Sequence, residues 1–244
     1  MTFSRSELES DKAEFLKLQN QDEELSRMGL DFVIRSDRYG YAYQWTWCDL
    51  PIVQLPQDIV ATQEIIFRCK PTVIIETGVA WGGGIALYGT LMDVYGGRRI
   101  IGVDLNLAPS VVESVTKVGL KTEVTLIKGS STSVDIIAQV SSMIREDDRV
   151  MVILDSNHTH EHVLDELRTY APMVSLGQYC IVSDTIVENI PEQSHRPRPW
   201  GHGNNPMTAV RQFLSELDGF RPDEDIDRKL VMSFNPSGYL ERRL

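Results

Sequence analysis

The stretch Ile75-Glu-Thr-Gly-Val-Ala-Trp-Gly-Gly-Gly84 decides the fold of this chain. An apolar run, Thr72–Glu76, leads into it, and a helix-compatible segment, Gly84–Tyr95, leads out. Glycines in such a turn let the backbone come close to a ligand, and the helix start offers free N–H groups. Four more apolar runs follow at Arg99–Asp104, Glu123–Ile127, Arg149–Leu154 and Gln178–Val182. Helix-compatible stretches, notably Ser133–Ile144 and Glu161–Tyr170, separate them. Strands spaced by helices predict βαβ units and a doubly wound, mostly parallel α/β sheet of the Rossmann-like kind.

Spacing inside the glycine turn selects the cofactor. A dinucleotide loop needs G-x-G-x-x-G. Here three residues separate Gly78 from Gly82, so that fingerprint fails. An acid two residues before the first glycine, followed by G-x-x-x-G, is the methyltransferase version of the loop. Glu76 has a chemical reason to be there. S-adenosylmethionine carries an ammonium and a sulfonium and no diphosphate, so a carboxylate attracts it and would repel a dinucleotide. Glu76, Gly78, Trp81 and Gly82 are therefore expected to bind the cofactor. Asp104 ends the second strand, 28 residues after Glu76. It can accept hydrogen bonds from two ribose hydroxyls, or be a simple turn aspartate. Ser130 and Ser131, after the third strand, are placed to touch adenine, although a Gly/Ser turn is also common in loops.

The fourth strand runs into Leu154-Asp-Ser-Asn-His-Thr-His-Glu-His162, and Asp184 follows the fifth. Ligands of open parallel sheets bind outside the carboxyl ends of strands. Asp155 and Asp184 should therefore meet in space, although 29 residues separate them. Two carboxylates make a hard, oxygen-rich site suited to Mg²⁺. Asp155 also borders the expected cofactor site. Methyl transfer to a hydroxyl needs a nucleophilic oxygen, which a metal and a nearby base can supply. His158, three residues past Asp155, is the expected base. The alternatives are that His158, His160 and His162 are helix-start or surface residues, or form a three-histidine zinc site.

The remaining chain bounds the function. A length of 244 residues suits one large domain with decorations. Residues 1–58 read as an N-terminal extension, helical over Ser6–Met28 and then aromatic and looped, with homo-oligomer contacts as one use for it. Residues 59–244 read as the cofactor-binding domain. Its Pro- and His-rich segment 185–205 reads as a lid, because long loops inside domains are usually functional. A helix is expected to start at Asn205-Pro206, and Lys229–Phe234 and Tyr239–Arg242 are expected as two last strands. A net charge of −11 argues against nucleic acid. Three scattered cysteines suggest neither a disulfide framework nor a zinc site. With no signal-like start and no membrane-length apolar run, a soluble cytoplasmic protein acting on a small-molecule acceptor is expected.

Taken together, Pro51-Ile-Val-Gln-Leu-Pro-Gln-Asp58, Ile74-Ile-Glu-Thr-Gly78, Gly102-Val-Asp104, Ile127-Lys-Gly-Ser-Ser-Thr132, Leu154–His160 and Val182-Ser-Asp-Thr185 resemble the cephalosporin hydroxylase family, which has a class I methyltransferase fold. The resemblance runs from about Trp47 to about Phe213. It implies adenosylmethionine binding through the Glu76 loop and Asp104. It also implies a metal site like that of related sugar O-methyltransferases, with Asp155 and Asp184 as ligands and His158 as catalytic base. There is a departure from the pattern. An acid usually precedes the second aspartate, and here Ser183 stands in its place. Cys48 likewise stands where a glycine is common. No facial-triad spacing for iron is present, so the family name does not carry the reaction. Two function classes follow. One is a Mg-assisted O-methyltransferase of a sugar or natural-product hydroxyl. The other is a non-catalytic adenosylmethionine-binding partner of another enzyme.

Overall fold

A computed structural model describes residues Ser4–Leu244. Met1–Phe3 of the expected N-terminal extension lie outside the described residues. The charged N-terminal stretch folds as two helices where one was expected: α1 (Arg5–Gln19) and α2 (Glu23–Asp37). The break comes from Asp22, whose side chain accepts from Leu25 N at 2.8 Å and caps a new helix. No residue of α1 is buried, and Leu8, Phe15 and Leu18 stay exposed. The aromatic stretch holds a 3-10 turn, Tyr41–Gln44, and a short hairpin of β1 (Thr46–Trp47) and β2 (Leu50–Pro51). Then α3 (Pro56–Cys69) starts on a proline that needs no N–H partner, and ends with Lys70 in the left-handed conformation.

The expected alternation follows: β3 (Val73–Thr77), α4 (Gly83–Tyr95), β4 (Arg99–Asp104), α5 (Pro109–Lys117), β5 (Glu123–Lys128), α6 (Val134–Ser142), β6 (Val150–Leu154), α7 (His160–Tyr170) and β7 (Tyr179–Val182). After the long segment come α8 (Pro206–Glu216), β8 (Phe220–Pro222), α9 (Glu224–Lys229) and β9 (Tyr239–Arg242). The seven-stranded sheet has the order β5-β4-β3-β6-β7-β9-β8. Strands β3 to β7 are parallel, and β9 joins antiparallel to both β7 and β8. The central strands β3, β6 and β7 are buried along their whole length, as parallel strands covered on both faces must be. Alternation divides their side chains. Val73, Ile75, Val150 and Val152 face the layer that contains α7 and α8, whereas Ile74, Met151 and Ile153 face the one that contains α3 and α4. Among the described residues no helix is long and apolar enough to cross a membrane.

Lys229–Phe234 is not a strand, which corrects the sequence expectation. Lys229 ends a short helix, and the last two residues are held by a buried carboxylate on α3. Asp58 accepts from Ser233 Oγ at 2.5 Å, Phe234 N at 2.8 Å and Tyr239 Oη at 2.9 Å. The partner of β9 is β8, which the sequence reading did not pick out. The turn Asn235–Gly238 does form, with Gly238 N donating to Asn235 O at 2.9 Å.

Asp58 is wholly buried, and burial pushes its carboxyl up to about 6 despite the three donors. Asp58→Ala strands those donors and leaves a void. Urea denaturation should show a loss of about 3 kcal/mol of stability. A loss below about 1 kcal/mol would show that the C-terminal segment is held by other means.

Candidate active site at the carboxyl edge of the sheet

Strands β3, β4, β6 and β7 all deliver their carboxyl ends to one edge. The turn after β3 passes tightly over the start of the loop after β6. A Cβ on Gly78 would overlap the carbonyl oxygen of Asp155, and Gly78 has φ +90°. Only glycine fits both demands. Gly82 (φ +86°) then starts α4. Two sequence-selected acids meet this turn. Glu76 is buried, and its Oε2 has no hydrogen-bond partner among the described residues. Burial pushes its carboxyl up to about 8, even with the Tyr88 hydroxyl nearby. An orphaned buried carboxylate oxygen beside a glycine turn fits a cationic ligand group. Asp104 accepts from Ala80 N at 3.0 Å and Asn106 N at 2.7 Å, so it braces the loop as well as facing the adjoining cavity.

That cavity holds about 510 Å³ and is lined by Gly78, Trp81, Asp104, Val111, Ser130 and Ser131 among others. Of the residues expected to bind the cofactor, Gly78, Trp81, Asp104, Ser130 and Ser131 share this space, whereas Glu76, Gly82 and Asp155 do not line it. Ser131 Oγ lies 3.3 Å from His162 Nε2, and Ser156 Oγ lies 3.0 Å from the same atom. Hydrogen bonding to Glu166 pushes the His162 imidazole up. His160 turns the other way, to Thr208 at 2.8 Å and Gln212 at 3.0 Å on α8. The three histidines therefore diverge, and no three-histidine zinc site forms.

Asp155, His158 and Asp184 come together. One ligand atom from each can be chosen so that all lie within 4.8 Å of one another. His158 Nε2 is 3.2 Å from Asp184 Oδ2. Asp155 is held well above the usual carboxylate range, first by burial and then by the charge of Asp184. The buried Ser183, which departs from the family pattern, lies beside Asp155 and offsets part of that rise. A carboxylate pair with an adjoining imidazole fits a divalent cation.

A second cavity, of about 660 Å³, is lined by all three residues of this cluster. Gly78, Ala80 and Trp81 line both cavities. The Trp200 ring meets His158 edge-on at 4.8 Å, and Tyr43 meets Trp81 at 6.5 Å. The sequence reading did not select Trp200 or Tyr43. Their signal was an aromatic residue in each of two Pro- or Gly-bearing loops, which does not say what they face. Segment 185–205 lines this cavity and is pinned at both ends. Thr185–Asn189 forms a 3-10 turn, and Glu188 accepts from Gly203 N at 2.9 Å and Asn205 Nδ2 at 2.6 Å. Its middle reaches α2, where Asp37 pairs with His195 at 2.9 Å and Arg196 at 3.0 Å.

A family model described as Rhamnosyl O-methyltransferase/CmcI matches residues 39–243. The rhamnosyl O-methyltransferase of Mycobacterium tuberculosis (strain ATCC 25618 / H37Rv) is 27% identical over 183 residues, 74% of this chain and 71% of the relative. Its namesake from Mycobacterium leprae (strain TN) is 24% identical over 201 residues, 81% of this chain and 83% of the relative. Among solved structures, an apo form of CmcI aligns with a TM-score of 0.58 at 18% identity, covering 83% of this chain and 77% of that one. A CmcI structure with Mg and SAM aligns with a TM-score of 0.56 at 17% identity, covering 83% and 78%. The likeness in shape bears out the doubly wound fold.

Glu76 yields a pH test. Its folded carboxyl titrates at about 8, so at lower pH it is mostly neutral. Pairing with a ligand ammonium requires the ionised form, so binding must expel a proton. Affinity for S-adenosylhomocysteine should then rise about tenfold per pH unit from pH 6 and level off above pH 8. Calorimetry in buffers of different ionisation enthalpy reads the proton directly. A flat affinity with no proton release would take Glu76 away from the ammonium.

Proposed function

The chain belongs to the Rhamnosyl O-methyltransferase/CmcI family, and from that premise we propose that it transfers a methyl group from adenosylmethionine to a hydroxyl of a small molecule. The acceptor class that suits the site is a sugar or a hydroxylated natural product. The observation that carries this reading is the convergence of Asp155, His158 and Asp184 in the wall of the larger cavity, which shares Gly78, Ala80 and Trp81 with the smaller one. A protein that only bound the cofactor for another enzyme would have no use for a base and two acids beside a second cavity. The relatives' name and the CmcI structure with Mg and SAM support the same assignment.

When bound, adenosylmethionine supplies a sulfonium-activated methyl and leaves as the thioether. Glu76 and Asp104 would hold its ammonium and ribose, with Ser130 and Ser131 near its adenine. A divalent cation on Asp155 and Asp184 would lower the pKa of the acceptor hydroxyl. The His158 imidazole takes the hydroxyl proton as the oxygen bonds to the methyl carbon. The Asp184 carboxylate beside the ring stabilises the imidazolium that results. Trp200 fixes the face of that ring and helps keep water out. The part of segment 185–205 between its pinned ends closes over the acceptor, because methyl transfer gains from a dry site.

His158→Ala should lower turnover by about 10²–10⁴-fold and leave cofactor affinity unchanged. EDTA should inhibit the wild type, with Mg²⁺ restoring it. Indifference to EDTA with a dead His158→Ala variant would remove the metal and keep the base. A fully active variant would return His158 to a plain helix-start residue.

A further inference from the structure

Asp184 has an unusual backbone. Its φ is +58°, in the left-handed region that side-chain-bearing residues seldom enter. Strand β7 ends two residues earlier, so this single residue turns the chain out of the sheet and aims its carboxylate at Asp155 and His158. Such a conformation persists only where the surroundings hold it.

Asp184 N donates to the side-chain Oδ1 of Asn235 at 3.0 Å. Asn235 is itself buried and fixed on several sides. Its N–H donates to Ser233 Oγ at 2.8 Å, and Ser233 Oγ donates to Asp58. Its Nδ2 donates to Tyr239 Oη at 3.4 Å. The loop also grips the residues after Asp184, through Thr185 Oγ1 to Pro236 O at 2.6 Å and Ile186 N to Phe234 O at 3.0 Å. Among the described residues of this loop, the Asn235 side chain is the one that hydrogen-bonds Asp184 itself, while Val187 N donates to the Asp184 carbonyl at 3.2 Å from the following turn.

We propose that Asn235 is a positioning residue for the metal site: its amide oxygen clamps the Asp184 backbone in the left-handed conformation that presents the ligand carboxylate. Where the family pattern has an extra acid, this chain has Ser183, so two carboxylates carry the charge and the orientation of each matters more. Asn235 lines neither of the two cavities. It transmits the anchoring of Asp58, on α3, to the end of β7. The inference rests on the proposed metal site and asks what holds one of its ligands.

The experiment is Mn²⁺ binding to the whole protein, read by electron paramagnetic resonance, with S-adenosylhomocysteine affinity measured beside it. Loss of an outer-shell partner typically weakens metal binding by about 10–100-fold. Asn235→Ala should weaken Mn²⁺ by about tenfold or more and leave S-adenosylhomocysteine affinity within about twofold. Asn235→Asp keeps an oxygen acceptor and should retain Mn²⁺ affinity within about threefold. Unchanged Mn²⁺ affinity in Asn235→Ala, or equal losses in both variants, would overturn the proposal. Wild-type protein that binds no Mn²⁺ would overturn the metal reading and this inference with it. Hydrogen exchange of the Asp184 amide in the wild type needs no variant. Protection like that of the β7 amides is expected, and exchange at an unprotected rate would contradict the clamp.

Discussion

The close crossing of two strand ends governs this molecule. Strands β3 and β6 are parallel neighbours in register, and Asp155 N donates to Thr77 O at 2.8 Å where they finish. The chain after β3 must then turn across the chain after β6 with almost no room, and Gly78 is the residue that permits it. One side of the crossing carries Glu76 and the glycine turn; the other carries Asp155 and His158. Their separation is therefore set by the hydrogen-bond ladder of the sheet, not by flexible loops. The smaller cavity and the Asp155–His158–Asp184 cluster are held close together by that crossing.

That compactness has an electrostatic consequence. Glu76, Asp155 and Asp184 crowd one edge of the sheet, and each of the first two titrates above its usual range mainly through burial. Buried carboxylates without cations destabilise a fold. A ligand bringing positive charge to this edge would offset that cost, which would link occupancy to stability and proton release. Asp58 belongs to the same pattern at lower risk, since three donors surround it. It anchors the C-terminal loop and, through Asn235, the end of β7.

The alternating skeleton was legible because parallel central strands need continuous apolar runs, and each of the five runs became a strand with ends shifted by one residue at most. The strand-end acids were legible for the same reason: topology alone brings Asp155 to Asp184. Other features depend on tertiary partners that local sequence does not name. Helix α5 was not singled out, because Val111, Val112, Val115 and Thr116 are weak helix formers that packing makes helical. Lys229–Phe234 has a strand-like composition, but Asp58, far away in sequence, accepts from Ser233 Oγ and Phe234 N at its end. The N-terminal helix was read as continuous because the cap at Asp22 sits among many other acids. Trp200 and Asn235 lie in loops whose facing residues cannot be inferred from spacing. The double duty of Asp104, as loop brace and expected ribose acceptor, is also visible only in three dimensions.

The central claim is that a cation and the adenosyl group occupy adjoining sites along this one edge. A crystal structure with Mn²⁺ and S-adenosylhomocysteine, using the anomalous signal of manganese, tests it most directly. One strong anomalous peak is expected within coordination distance of Asp155 and Asp184, with the ligand's ribose on Asp104 and its ammonium at Glu76. An empty cluster, or the adenosyl group lodged away from the Gly78–Gly82 turn, would contradict it.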